Sequence, residues 1–526
     1  MDFLINVGNL SSAIAVKDGK IIAGYEEEKI SRVKADNSFP ILAIGELIKH
    51  VKPDKINRLF RSDDLNYFEK ELPAKSAFQL YPSSQLSGEE DGFNQIMRPF
   101  LKRLNKRIDL IKKLQQCEFE IYKKTEKFTH HDMHAESVRL FSGKENFDVM
   151  VADRVGDNDE TITVYRNGEV IYKEKNESRS IGTMFQEACI FCGWQPDVDE
   201  GKFQAYYTKF QRHPSDMFYI EQESQRLIEK DIPFSDIFSR YSNGFKIEDR
   251  RKVVGYIIQS YAEKKILNII KDLEIENLLL AGGVFYNVEL NRKILNTIKG
   301  QLSVMPLAGD TGAALGLYKH HCGYIDMGDL CWGKRDLNGM KRDAFVDLIV
   351  EYLRQNRIIN VLTGGLEFGP RALCNTTTLA LPTYENVGII NRMNKRDSNM
   401  PLAPVLLEKN LPYFFKPEQY ERIIKSDEFM IVSYDYKDDV PLRYEGIKHA
   451  ISDEICTGRP QVIRNENHYM YEVLTRAEKE LGVKALINTS FNIHGKPIVF
   501  DMNDAEADYK FQRKREDRVV LLVCEE

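Results

Sequence analysis

At 526 residues the chain is too long for one hydrophobic core, so two domains are expected. A hydrophobic content of 42% and a charged content of 29% describe an ordinary soluble globular protein. The formal net charge of −6 argues against a non-specific nucleic-acid binder, which would be basic, and suits a small substrate or a nucleotide better.

The opening predicts a β-hairpin: Phe3 to Val7 and Ala13 to Val16 are apolar, Lys17-Asp18-Gly19-Lys20 turns, and Ile21 to Tyr25 returns. The first residues lack the basic flank and cleavage site of a signal peptide, and no membrane segment is expected, because the longest apolar runs, such as Asn277 to Gly283, are too short. Residues 40 to 51 read as a helix. Residues 62 to 128 read as helices and loops over the first sheet, with the basic run Leu101 to Lys113 as a solvated helix face. The eight cysteines show no disulfide framework and fit a reducing cytoplasm; Cys189 and Cys192 are expected as buried, inert thiols despite their redox spacing.

The stretch His130-His131-Asp132-Met133-His134 is the most informative one. A spacing of four puts His130 and His134 on one face of a helix, one turn apart. Asp153 ends the apolar run Asp148 to Ala152, a buried strand, and its carboxylate would complete a half-shell for a divalent metal that handles phosphate esters. A meander of Asp148–Asp153, Thr161–Tyr165 and Glu169–Lys173 turns at Arg166-Asn-Gly168. Val253 to Leu273 is helical, Leu278–Leu280 is a short buried strand, and Gly282-Gly283 leads into a helix carrying Asn287 and Asn291. Two halves that each open on a hairpin and close in helices imply a duplicated α/β fold around a cleft. The Gly-Gly junction would let an adenosine or a phosphate approach bare backbone, and a purely structural turn is an equal reading of it. The domain boundary falls near 335, giving domains 1–335 and 336–526.

The second unit carries Gly364-Gly365-Leu-Glu367-Phe368-Gly369-Pro370-Arg371, Asn391-Arg392-Met-Asn394-Lys395-Arg396, Gly458-Arg459-Pro460-Gln461 and Asn488-Thr-Ser490-Phe-Asn492. Arg371, Lys395, Arg396 and Arg459 are candidates to converge on phosphate oxygens, and Ser490 and Asn492 to bind a nucleotide or orient a carbonyl.

These motifs, together with Glu26-Glu-Glu28, Arg32-Val-Lys34-Ala-Asp36, His130-His131-x-x-His134-Ala135-x-Ser137, Ala281-Gly-Gly283 with Asn287, and Gly309-Asp310, resemble an O-carbamoyltransferase of the nodulation-protein-U type, the group that includes the tobramycin carbamoyltransferase. The resemblance covers nearly the whole chain. It implies an N-terminal duplicated actin-like, sugar-kinase-like ATPase fold, in the version of the threonylcarbamoyl-transfer subunit. It also implies a C-terminal α/β domain similar to threonylcarbamoyl-adenylate synthase. In such enzymes the C-terminal unit makes carbamoyl-adenylate from ATP, with Mg2+, and carbamoyl phosphate. The N-terminal unit passes the carbamoyl group to a hydroxyl, with iron as the metal in the best-known relatives.

By this resemblance His130, His134, Asp153 and Asp310 match the metal ligands. Glu200, Lys202, Gly282, Gly283 and Asn287 match the adenylate-binding set. Lys395, Arg396, Ser490 and Asn492, with Arg371 and Arg459 nearby, match the set for ATP and carbamoyl phosphate. His130, His134, Lys395 and Arg396 are the expected catalytic residues. The expected acceptor is a small molecule, a sugar or a modified (hydroxymethyl) nucleotide; neither a nucleic acid nor a membrane is an expected partner, and a homodimer is left open. Three positions depart from the pattern. Asn9 stands where relatives carry a histidine that is a candidate base, leaving His131 or a carboxylate to replace it, and Met400 and Thr376 stand where they carry arginines. The alternatives are an actin-like kinase or ATPase and a non-catalytic nucleotide-binding member.

Overall fold

The computed structural model describes residues 1–8, 10–50, 58–62, 120–207, 222, 225–226, 247–398, 400–448, 450–451 and 456–525. Position 9, the basic run at 101–113 and most of residues 208–246 lie outside them. Among the described residues no helix is long and apolar enough to cross a membrane.

The first domain holds two five-stranded sheets of the same design. The first consists of β1 (Asp2–Asn6), β2 (Ser12–Lys17), β3 (Lys20–Glu26), β4 (Arg58–Arg61) and β5 (Glu120–Lys123), in the order β3-β2-β1-β4-β5. The meander β1 to β3 is antiparallel, and β4 and β5 add in parallel. The second consists of β6 (Asp148–Ala152), β7 (Glu160–Arg166), β8 (Glu169–Lys175), β9 (Leu278–Ala281) and β10 (Leu302–Val304), in the order β10-β9-β6-β7-β8. Its pairings repeat those of the first sheet, antiparallel through the meander and parallel beyond it. This duplication is the actin-like, sugar-kinase-like ATPase fold.

Both expected hairpins form. Asp18 and Gly19, and Asn167 and Gly168, all take positive φ, as a two-residue turn matched to strand twist requires. Strand β9 (Leu-Leu-Leu-Ala) is buried throughout because its parallel neighbours β6 and β10 place it in the middle of the sheet. The expectation of helices and loops over 62 to 128 needs one correction, since Glu120–Lys123 is a strand. It pairs with β4, yet it is largely exposed and has no apolar run to mark it.

The second domain is built on a six-stranded mixed sheet. Its order is Gln461–Ile463, Ala403–Leu407, Ala485–Ser490, Thr376–Ala380, Ile358–Leu362, Val519–Val523. Its helices include Arg342–Arg354 and Tyr469–Leu481, each with a buried apolar face. One apolar core runs through both domains, joining Leu280, Leu290 and Leu302 to Ile389, Leu406 and Val462. The edge of β10 is not left open: Leu302 exchanges backbone hydrogen bonds with Arg422 and Ile424 of the second domain, both at 2.9 Å.

Candidate active site between the two domains

The helix His130–Ser142 starts at a capping box. The Thr129 hydroxyl accepts the Asp132 amide, and the Asp132 carboxylate accepts the Thr129 amide at 2.7 Å. The free His130 amide donates to Asp157 at 2.7 Å, and the Tyr165 hydroxyl donates to Asp132 at 2.8 Å. These bonds fix the first turn, and with it His130 and His134. The helix Ala313–Cys322 crosses close by, because a Cβ on Gly316 would overlap the carbonyl oxygen of Met133. That approach brings in Asp310, just ahead of the second helix. Asp153 arrives from the end of β6, where its amide donates to the Thr161 carbonyl.

The four side chains meet. His130 Nε2 lies 3.3 Å from Asp153 Oδ2 and 3.4 Å from Asp310 Oδ1. His134 Nε2 lies 3.3 Å and 3.5 Å from the same two atoms, and 3.1 Å from His130 Nε2. An ion with bonds of about 2.0–2.2 Å has neighbouring ligand atoms roughly 3.0–3.5 Å apart, so the spacing fits a divalent metal. Two imidazoles and two carboxylates suit a borderline ion of the iron or zinc kind. Burial works against charge on His130, but its bonds to Asp153 and Asp310 outweigh that and raise it to about 10. Burial likewise disfavours the Asp153 anion, and the two histidines overcome this and hold the carboxyl well below its usual range.

His131 faces elsewhere. Its Nδ1 pairs with the Thr163 hydroxyl at 2.7 Å, and the ring packs against Gly156. Burial, with some repulsion from His130, pushes it down to about 3. A fully enclosed imidazole that resists protonation is a poor replacement for the base absent at position 9, which corrects that expectation.

The glycine turn sits beside this tetrad. Gly282 has φ 100°, its amide donates to the Ala308 carbonyl at 2.7 Å, and a Cβ there would overlap the Ala152 carbonyl. Asn287 is engaged locally. Its Oδ1 accepts the Leu290 amide at 3.0 Å as a helix N-cap, and its Nδ2 donates to Gln259 at 2.7 Å. Lys202 pairs with Asp199 at 2.8 Å, and Glu200 accepts the Asp197 amide at 2.6 Å. The helix Gly201–Tyr207 touches the second domain, where the Tyr206 hydroxyl donates to Asp397 at 2.9 Å.

In the second domain Arg371, Arg396 and Arg459 are brought together. The Nε atoms of Arg371 and Arg459 are buried with no hydrogen-bond partner, and neither side chain forms an ion pair among the described residues. Burial, then repulsion from Arg371 and Arg396, holds the Arg459 guanidinium well below the usual arginine range. Among the described residues Arg396 bonds to neutral groups, the Asn391 carboxamide at 3.1 Å, the Thr489 hydroxyl at 3.2 Å and the Pro401 carbonyl at 3.3 Å, and burial lowers it to about 10. Repulsion among the three guanidiniums is offset only in part by the Glu289 carboxylate, the one acidic group acting on Arg459 among the described residues.

Lys395 does not join them. Its side chain is exposed, with the ammonium 5.1 Å from the centre of the Phe511 ring. Asn492 is tied into its own turn by a 2.7 Å bond to the Lys496 carbonyl, and Ser490 pairs in the sheet opposite Thr377. At Thr376, where relatives have an arginine, a guanidinium arrives from elsewhere: Arg335 donates to the Thr376 hydroxyl at 2.9 Å and to the Val499 and Phe500 carbonyls at 3.4 and 3.3 Å.

Two positioning groups escaped sequence reasoning. Glu367 Oε1 accepts the amides of Leu373, Asn375 and Thr376 at 2.8–2.9 Å, wrapping the loop that carries Arg371. Glu26 accepts the Gly369 amide at 2.9 Å, which anchors the same loop to the first domain. Both lie in motifs already singled out, but nothing local shows what they hold. Cys189 and Cys192 are both buried, as expected, and form no disulfide.

Residues 9–317 match the family described as Carbamoyltransferase N-terminus, and residues 350–522 match Carbamoyltransferase C-terminus. An uncharacterized protein of Methanocaldococcus jannaschii is 26% identical, over 95% of this chain and 94% of its own. Nodulation protein NolNO of Sinorhizobium fredii is 25% identical, over 94% of this chain and 75% of its own. Among solved structures, (R)-2-hydroxyglutaryl-CoA dehydratase component A of Acidaminococcus fermentans overlaps 60% of this chain and 96% of its own, with a TM-score of 0.35 and 16% identity.

Proposed function

This chain belongs to the carbamoyltransferase family and is a carbamoyltransferase; we propose that it works through carbamoyl-adenylate, made in the second domain and consumed in the first. The observation that carries this reading is the pair Arg371 and Arg459, whose buried Nε atoms have no partner among the described residues. Such an arrangement is costly unless an anion occupies it, and carbamoyl phosphate and ATP both bring phosphate oxygens.

In the first half-reaction water releases phosphate from carbamoyl phosphate, and a carbamate oxygen displaces pyrophosphate from the α-phosphorus of ATP. The arginines bind and orient the phosphates, and Arg396 keeps its place through Asn391, Thr489 and Pro401. In the second, the acceptor hydroxyl attacks the carbamoyl carbon, gives up its proton, and AMP leaves. His130, His134, Asp153 and Asp310 would hold a divalent ion, iron(II) by resemblance, whose positive charge would offset the negative charge on the leaving phosphate. Ala152 fills the space at Gly282, so the adenylate would approach the turn at Gly283, which lies beside Asp153. The acceptor class is a hydroxyl of a small molecule, sugar or modified nucleotide.

The test is to incubate the purified chain with ATP, carbamoyl phosphate, a divalent metal and a panel of hydroxyl acceptors. Pyrophosphate, AMP and a product heavier by one carbamoyl group are expected. Formation of ADP would instead favour a kinase or ATPase, and absence of nucleotide turnover would sink the proposal.

A further inference from the structure

Tyr286 stands where the two sites meet. It closes the short turn Gly283–Tyr286, between the glycine pair and the Asn287 cap. Its hydroxyl is buried and donates to no acceptor among the described residues. Its ring edge lies against Gly309, the residue before Asp310: a Cβ placed there would sit 3.2 Å from Cε2 and 3.7 Å from Oη of the tyrosine. Besides burial, the phenol feels the Gly309 amide, the Glu26 carboxylate, the Arg371 guanidinium of the second domain and the Asp310 carboxylate, and Tyr286 in turn acts on Arg371. The phenol therefore stands against the residue that precedes Asp310 and within the electrostatic reach of Arg371.

A buried hydroxyl without an acceptor is uncommon, because desolvation of its hydrogen is uncompensated, whereas phenylalanine would fill the same space without that cost. Burial also keeps the phenol protonated, so it is a donor in need of an acceptor. With the Arg371 cation acting on it, the acceptor that suits both is an anionic oxygen.

We propose that the Tyr286 hydroxyl donates a hydrogen bond to the phosphate of carbamoyl-adenylate and holds the adenylate between Arg371 and the His130–His134–Asp153–Asp310 group. This rests on the carbamoyl-adenylate reading above. It makes Tyr286 a substrate contact of the transfer step, separate from adenylate synthesis.

The experiment compares the full chain with its Tyr286→Phe variant, using AMP and adenosine as probes in calorimetric titrations. The variant is expected to bind AMP about tenfold more weakly, as loss of one hydrogen bond to a charged group implies, and to bind adenosine unchanged. The melting temperature is expected to hold or rise, since the phenol hydrogen has no internal acceptor to lose among the described residues. Equal AMP affinity in both proteins, an equal loss for AMP and adenosine, or a lowered melting temperature would each overturn the assignment. If the unaltered chain neither releases pyrophosphate nor binds AMP, the carbamoyl-adenylate reading fails, and this contact falls with it.

Discussion

Lys29 donates from a buried ammonium to the backbone carbonyl of Gly369, 2.9 Å away and 340 residues further along the chain. The same ammonium pairs with Glu26, and both side chains are almost wholly enclosed, 1% and 2% exposed. Glu26 completes the arrangement by accepting the Gly369 amide. An ion pair of the first domain thus grips both sides of one peptide segment of the second, two residues before Arg371.

Breaking this pair from one side is expected to be costly. Lys29→Met leaves a buried, uncompensated carboxylate and should lower the unfolding free energy by about 3–5 kcal/mol, measured by urea denaturation. The double variant with Glu26→Gln should recover a large part of that loss, because no isolated charge remains. Equal stability of the single variant and the unaltered protein would show that the clamp is dispensable.

The histidine–aspartate tetrad predicts a metal that stabilises the fold. Treatment with a chelator should lower the melting temperature of the unaltered protein, since a bound ion favours the folded state by mass action. His134→Ala should carry metal only at background level in elemental analysis, and its melting temperature should not respond to the chelator. Full metal content in that variant would rule the site out.

The arginine group predicts opposed effects on stability and activity. Arg459→Met removes a desolvated charge that faces Arg371 and Arg396, and should raise the stability of the free protein by about 1 kcal/mol or more. The same change should slow pyrophosphate release about tenfold to a hundredfold, through loss of charged hydrogen bonds to phosphate. Calorimetry and a pyrophosphate assay read the two effects separately, and a destabilised variant would mean that the arginine has an internal partner.

Acid stability is set partly at Glu478, on the helix Tyr469–Leu481. Burial favours its neutral form, but bonds from Lys484 at 2.6 Å, Lys409 at 2.9 Å and Asn410 at 3.3 Å outweigh this and lower it to about 2. The folded protein therefore holds this proton less tightly than the unfolded chain. The stabilisation is complete above the ordinary glutamate range, near 4.5, and is lost as pH falls toward 2. Glu478→Gln should flatten the stability profile across that window, and an unchanged slope in urea titrations at several acidic pH values would refute the assignment.

Much of the fold was legible in the order of residues. The Asp18-Gly19 and Asn167-Gly168 turns, the buried run of β9 and the helix starting at His130 each follow from a local rule of turn geometry, burial or spacing. The edge strand Glu120–Lys123 was not, because its exposed residues carry no pattern that distinguishes strand from loop. Lys395 and Arg396 are neighbours in one motif, yet one is exposed over Phe511 and the other is half-buried among neutral acceptors. No spacing rule separates them, since the left-handed backbone at Lys395 is set by the fold around it.

What the chain determined by itself was the chemistry on offer: two histidines one helical turn apart, a carboxylate at a strand end, and arginines set in turns. What only tertiary structure decided was which of these groups meet. Asp310 reaches His130 because a glycine lets two helices cross closely, and Gly369, two residues before Arg371, is held to the first domain by Glu26 and Lys29. Local structure follows from short-range sterics and periodicity, whereas convergence across the chain is fixed by packing that no short stretch of sequence contains.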